Sequence, residues 1–153
     1  MTRHEIPLDA EVILRALAEH DVDYVVIGGL AVQAHGHTRT TQDVDLVPAP
    51  TAANLKRLRA ALEALGARPL GAPTPQPIKL PTRGVLELDT DAGGVDIHLD
   101  PPGAAPYPDL RSRALALQLE TEVLVAGRDD LIAMKRASGR PIDRGDILAL
   151  TDT

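Results

Sequence analysis

The 153-residue sequence predicts one domain of the α/β (α+β) class, a mixed sheet with helices packed mainly on one face. Three observations carry this. Short β-branched runs such as Tyr24–Ile27 and Asp43–Val47 alternate with stretches of helical apolar period. The first run feeds into Gly28-Gly29 and a short helix, then returns as a second strand with Asp43 and Asp45 at i and i+2. A third segment, Val85–Leu99, reads as a hairpin around an Asp- and Gly-rich turn.

In chain order, Asp9 is placed to cap a helix to about His20, with Val12, Ile13, Leu14 and Leu17 on its buried side. Tyr24 to Ile27 is a buried strand and Leu30 to about His35 a short helix. After the Asp43–Val47 strand, Thr51 caps a helix to about Leu65. Leu55, Leu58, Leu62 and Leu65 form its apolar stripe, and Gly66 ends it. Residues 69–81 hold five prolines and predict an irregular excursion that cannot enter a sheet interior. Val85–Leu88 and Val95–Leu99 are the hairpin strands, with the turn running from Asp89 to Gly94. A second proline-rich loop covers 101–108. Leu115–Val125 predicts a hairpin around Glu120-Thr121, Asp129 caps a helix to about Ala137, and Asp143 starts a last helix.

The period of two puts Asp43 and Asp45 on one face of their strand while Val44 and Leu46 face the core. In the later strand Asp96 and His98 share a face, opposite Val95, Ile97 and Leu99. If the two strands lie side by side, three aspartates converge. Carboxylates so crowded repel unless a cation or a shared proton sits among them, and three oxygen ligands suit one or two magnesium ions. The glycine pair lies where a helix start can receive an anion. Cation beside polyphosphate is the arrangement of metal-assisted nucleotide chemistry.

The string Gly28-Gly29-Leu30-Ala31, Gly36, Arg39, Thr41, Asp43-Val44-Asp45, followed by the later Asp96, resembles the nucleotidyltransferase core shared with polymerase beta. The tail Asp130-Leu131-Ile132-Ala133-Met134-Lys135, then Gly139-Arg140-Pro141, Asp143 and Asp146-Ile147, is similar to AbiEii-type abortive-infection toxins and minimal nucleotidyltransferases of toxin–antitoxin pairs. The resemblance spans roughly residues 12–150. It implies a Mg2+-dependent transfer of NMP from NTP to an acceptor hydroxyl, on a tRNA end or a partner protein. Asp43, Asp45 and Asp96 would be catalytic and metal-holding, with Gly28, Gly29, Arg39, Thr41 and Lys135 toward the nucleotide. Two departures stand out. A serine common in the family is replaced by Gly29, and the chain is shorter than AbiEii-type toxins, which add a helical region.

Other residues have plainer readings. His98 tunes the site, touches substrate or is simply exposed. His35 and His37, two apart near a helix end, do not share a helical face and are not read as metal ligands. Arg39 contacts phosphate or neutralises the aspartates. Lys135 reaches phosphate or pairs with Asp143, and Asp146 has a capping or fold role.

Without Phe or Trp, and with only Tyr24 and Tyr107, the core must be aliphatic. The lack of cysteine excludes disulfides and thiolate metal sites and suits the cytoplasm. No signal-like segment and no membrane-length apolar run occurs. A net charge of −6 argues against tight non-specific nucleic-acid binding, though not against a transient RNA acceptor. Two further classes share these residues: a catalytically inactive binding module or antitoxin on the same fold, and a metal-dependent phosphohydrolase.

Overall fold

The structure is a computed structural model that describes residues 6–151. Its elements are α1 (Ala10–Glu19), β1 (Tyr24–Ile27), α2 (Gly28–Ala34), β2 (Asp43–Pro48), α3 (Ala52–Ala64), β3 (Arg68–Pro69), β4 (Gly84–Thr90), β5 (Gly93–Leu99), α4 (Tyr107–Ser112), β6 (Leu115–Gln118), β7 (Glu122–Val125), α5 (Arg128–Ser138) and α6 (Pro141–Thr151). The strands form one seven-stranded mixed sheet in the order β3-β4-β5-β2-β1-β7-β6. As expected, the strands at 24–27, 43–47 and 95–99 are neighbours. β2 runs antiparallel to β1 and parallel to β5.

Val44, Leu46, Val95 and Ile97 are fully buried in the core, on the face away from the aspartates. Helices α1 and α3 pack on each other and on β2. Asp9 caps α1 by accepting from the Val12 amide, and Thr51 caps α3 by accepting from Asn54. Ile13, Leu14 and Leu17 are buried as expected, but Val12 is 37 % exposed. At 3.6 residues per turn it stands roughly 140° round the helix from Leu17. The buried Asn54 side chain bonds both backbone groups of Asp23 and the Ala49 carbonyl, locking α3 to the end of the β1–β2 pair.

The β4–β5 hairpin is tighter than expected. Pairing continues to Thr90↔Gly93, so only Asp91 and Ala92 turn. Gly93 and Gly94 belong to the strand. Gly93 adopts φ +112°, and a Cβ there would come within 2.8 Å of the Leu8 backbone. The Thr90 hydroxyl fixes the turn, donating to the Gly93 carbonyl and accepting from Ala92. In the first proline-rich segment Arg68–Pro69 pairs with β4 at the sheet edge, where a proline costs no ladder bond.

The second proline-rich loop yields a helix that the sequence reading omitted. Pro106 precedes α4 and Pro108 lies in its first turn, where missing amides cost nothing. Its Leu110 is fully buried. The expected cap at Asp129 is displaced: Gly127 holds that position and Asp129 lies in the first turn, favourable to the helix dipole. Likewise α6 begins at Pro141 rather than Asp143. Among the described residues no helix is long and apolar enough to cross a membrane.

Candidate active site

The parallel register of β2 and β5 sets Asp45 directly beside Asp96. Asp43 lies two residues before Asp45 on the same face. One oxygen from each of Asp43, Asp45 and Asp96 lies within 4.8 Å of the other two. The convergence that the sequence made conditional on strand adjacency is therefore present.

The electrostatics of the three carboxyls are unequal. Burial, then the hydrogen bond and charge of Asp45, then Asp96, push Asp43 up from 3.8 to about 9. Burial also pushes Asp45 upward, but hydrogen bonds from His98 and Asp43 outweigh it, and Asp45 ends below the ordinary range. Asp43 is thus the carboxyl the crowding drives toward its neutral form, with a proton shared between it and Asp45 in the absence of a cation. His98 Nε2 lies 2.8 Å from Asp45 Oδ1. A carboxylate only accepts, so the imidazole nitrogen is the donor.

The glycines are explained by what presses on them. Gly28 has φ +70°, and a Cβ there would sit 2.4 Å from Asp45 Oδ2. The cause is the β1–β2 pairing, which places Asp45 beside Ile27. A Cβ on Gly29 would meet an Arg39 terminal nitrogen at 3.0 Å and Thr41 at 3.1 Å. Thr41 donates its hydroxyl to the Asp43 carbonyl and so braces the start of β2.

Arg39 reaches away from the strand aspartates toward the C-terminal helix. Its guanidinium lies 3.2 Å from Asp146 of α6, while Gln33 donates to its backbone carbonyl. Lys135 is not a solvated helix lysine either. Only 6 % exposed, it bonds Asp146 at 2.8 Å and lies 3.6 Å from Asp143. Two cations from separate segments thus meet on Asp146. Arg140 and the Ser138 hydroxyl donate to Asp143. Burial raises Asp143, but these bonds outweigh it and hold the carboxyl below its ordinary range.

These groups line one cleft of about 840 Å³. Gly28, Gly29, Arg39, Thr41, Asp43, Asp45, Asp96 and Lys135 all contribute to its wall. His35 and His37 do not. The His35 ring bonds the Ala126 carbonyl instead. The sequence reading missed Glu87, Ser138 and the exposed side chain of Arg140 as parts of this wall. Glu87 pairs in register with Asp96, which makes a transverse row Glu87–Asp96–Asp45 across three strands. The signal was present: a hairpin centred between Asp91 and Ala92 sets Glu87 opposite Asp96.

The family profile described as "Nucleotidyltransferase of unknown function (DUF6036)" matches residues 6–151. No curated protein matches at the sequence level. Several solved structures share the fold. ANT(2″)-Ia, in complex with adenylyl-2″-tobramycin, aligns at a TM-score of 0.61 and 18 % identity, over 93 % of this chain and 85 % of its own. The lincosamide antibiotic adenylyltransferase LnuA, bound to lincomycin, aligns at 0.62 and 17 %, over 95 % and 98 %. A nucleotidyltransferase-type protein of Thermotoga maritima, TM1012, aligns at 0.55 and 16 %, over 99 % and 100 %.

Proposed function

The chain belongs to the DUF6036 family of nucleotidyltransferases, and from that premise we propose that it is a Mg2+-dependent enzyme moving an NMP from an NTP to an acceptor hydroxyl. The observation that carries this reading is the in-register pairing of Asp45 with Asp96, with Asp43 on the same face. The donor set fits the metal. Three oxygens within 4.8 Å, with Asp43 pushed upward by burial and its acidic neighbours, are what a hard cation would relieve. Asp43, Asp45 and Asp96 would hold one or two Mg2+ ions. Bound there, magnesium would neutralise phosphate oxygens and stabilise the attacking and leaving oxygens of an in-line displacement.

The chain's own residues divide the remaining work. Gly28 and Gly29 let Asp45, Arg39 and Thr41 lie close against this turn, since neither carries a Cβ to hold them off. Thr41, Arg39 and Lys135 line the same cleft, the cations held in place by Asp146, and would orient phosphate oxygens. Asp96 stands on β5 between Asp45 of β2 and Glu87 of β4, where it would orient the acceptor hydroxyl or take its proton.

The acceptor we propose is a tRNA end or a hydroxyl of a partner protein, in a cytoplasmic toxin–antitoxin or phage-defence setting. The support is the AbiEii-like tail, Leu131-Ile132 to Lys135 and Arg140-Pro141 to Asp143 and Asp146. A small hydroxyl-bearing acceptor is the second reading, favoured by the likeness to ANT(2″)-Ia and LnuA.

The test is incubation of the chain with each labelled NTP, Mg2+, total tRNA, a candidate partner protein, tobramycin and lincomycin. Label is expected on one acceptor with release of pyrophosphate, and Asp45→Ala should abolish it while keeping the fold. Phosphate release without any acceptor would replace the transferase with a phosphohydrolase. Nucleotide binding that is unchanged by a chelator would replace it with a binding module.

A further inference from the structure

We infer that His98 is a positioning residue that makes Asp45 a one-oxygen ligand and thereby biases the carboxylate cluster toward a small octahedral cation over calcium. The inference rests on the metal reading above. Asp96 and His98 are two positions apart on β5, so both project into the cleft. Asp96 stands beside Asp45 in register, and the imidazole reaches back to Asp45 Oδ1 at 2.8 Å. Both side chains are largely sheltered, at 20 % and 16 % exposure, so the bond competes little with bulk water. The other oxygen, Oδ2, lies against Gly28, where even a Cβ would not fit.

The Asp45 carboxylate is therefore bonded at one end to an N–H donor and packed at the other against Gly28. A carboxylate chelates a cation through both oxygens only when both are open to it. With Oδ1 engaged, Asp45 offers a single oxygen in a set orientation. Magnesium demands near-ideal octahedral geometry and compact ligands, whereas calcium accepts higher coordination and two-oxygen carboxylates. Groups that orient a metal's ligands in this way are typically worth about 10–100-fold in affinity. The neutral imidazole with its proton on Nε2 makes the same bond as the charged ring, so the grip on Asp45 does not depend on charge.

The test uses the whole chain and metal ions alone. Free Mn2+ is counted by its paramagnetic resonance signal, and Mg2+ and Ca2+ are titrated as competitors. His98→Leu is expected to weaken Mg2+ about tenfold or more while changing Ca2+ less, so that the Mg2+/Ca2+ preference falls. His98→Gln, which restores an N–H donor near the Nε2 position, should keep the wild-type preference. An unchanged preference in His98→Leu overturns the inference. Should that variant fail to fold, 15N resonances of the wild-type imidazole decide. A His98 Nε2–H that persists on adding Mg2+ supports the positioning role, and its loss to direct coordination overturns it. Failure of the metal reading itself looks different: the wild-type chain would bind no more Mn2+ than Asp45→Asn.

Discussion

Gly28 is confined twice over, by its backbone and by its neighbour. A φ of +70° costs a non-glycine residue about 1–2 kcal/mol. An added methyl would also drive into Asp45 Oδ2 at 2.4 Å. Gly28→Ala should therefore lower stability by about 2 kcal/mol and displace Asp45, removing nucleotide transfer. Gly36→Ala is the matched control, since it shares positive φ (+93°) but has open space around its Cβ. Thermal unfolding and transfer assays on both variants separate backbone strain from displacement of the carboxylate. Equal loss of transfer in the two would refute the displacement argument. At this scale the sequence was informative where chemistry and period coincide. Asp43, Asp45 and Asp96 were legible because alternation along a strand needs no tertiary knowledge. The approach of Lys135 to Asp143 was legible too, but the meeting of Arg39 and Lys135 on Asp146 was not, because it joins residues 107 and 11 positions apart through packing that no local pattern encodes.

The α5–α6 pair is an element-scale case of buried charge. Lys135 on α5 and Asp143 and Asp146 on α6 are 6 %, 1 % and 7 % exposed, and Lys135 lies within ion-pair distance of both acids. Removing one partner of such a set leaves an uncompensated buried charge, at a cost of about 3–5 kcal/mol. Lys135→Met should fall at the lower end, because Asp143 keeps Arg140 and Asp146 keeps Arg39. The double variant Lys135→Met/Asp146→Leu should recover much of that loss, since an apolar pair replaces an ionic one. Denaturant melts of both check this, and a double variant less stable than Lys135→Met would contradict it. Elements with strong caps and stripes, α1 and α3, were readable in advance. α4 was not, because prolines in a short segment signal a loop as readily as the first turn of a helix, where they also fit. The hairpin turn was overdrawn for a similar reason: Gly93 serves a close approach to Leu8, not a reversal.

Across the molecule as a whole, the buried carboxyls set the response to pH. Asp43 is held at about 9 against an ordinary 3.8, so the folded metal-free protein keeps a proton that the unfolded chain releases. Its contribution is fully present below about 3.8 and is lost progressively as pH rises to about 9. Asp45 and Asp143 act in the opposite sense. Their lowered values add stability above 3.8 that disappears as pH falls below it. In chelator, stability should decline between about pH 4 and 9, and Asp43→Asn should flatten that decline. Thermal unfolding across the range checks it, and a slope unaltered by Asp43→Asn would contradict it. The in-register β2–β5 pairing also has a kinetic meaning. Asp45 and Asp96 are 51 positions apart, and their strands are parallel, with α3, β3 and β4 lying between them in the chain. Closing so long a loop is slow relative to forming local structure, so the carboxylate trio exists only once β5 has docked against β2. A ligand that recognises a late-formed feature holds the native state back from its unfolding barrier and leaves the folding rate nearly untouched. Magnesium with nucleotide should thus act as a brake on unfolding alone, raising only the unfolding limb's barrier in stopped-flow experiments and lengthening the lifetime of the folded chain.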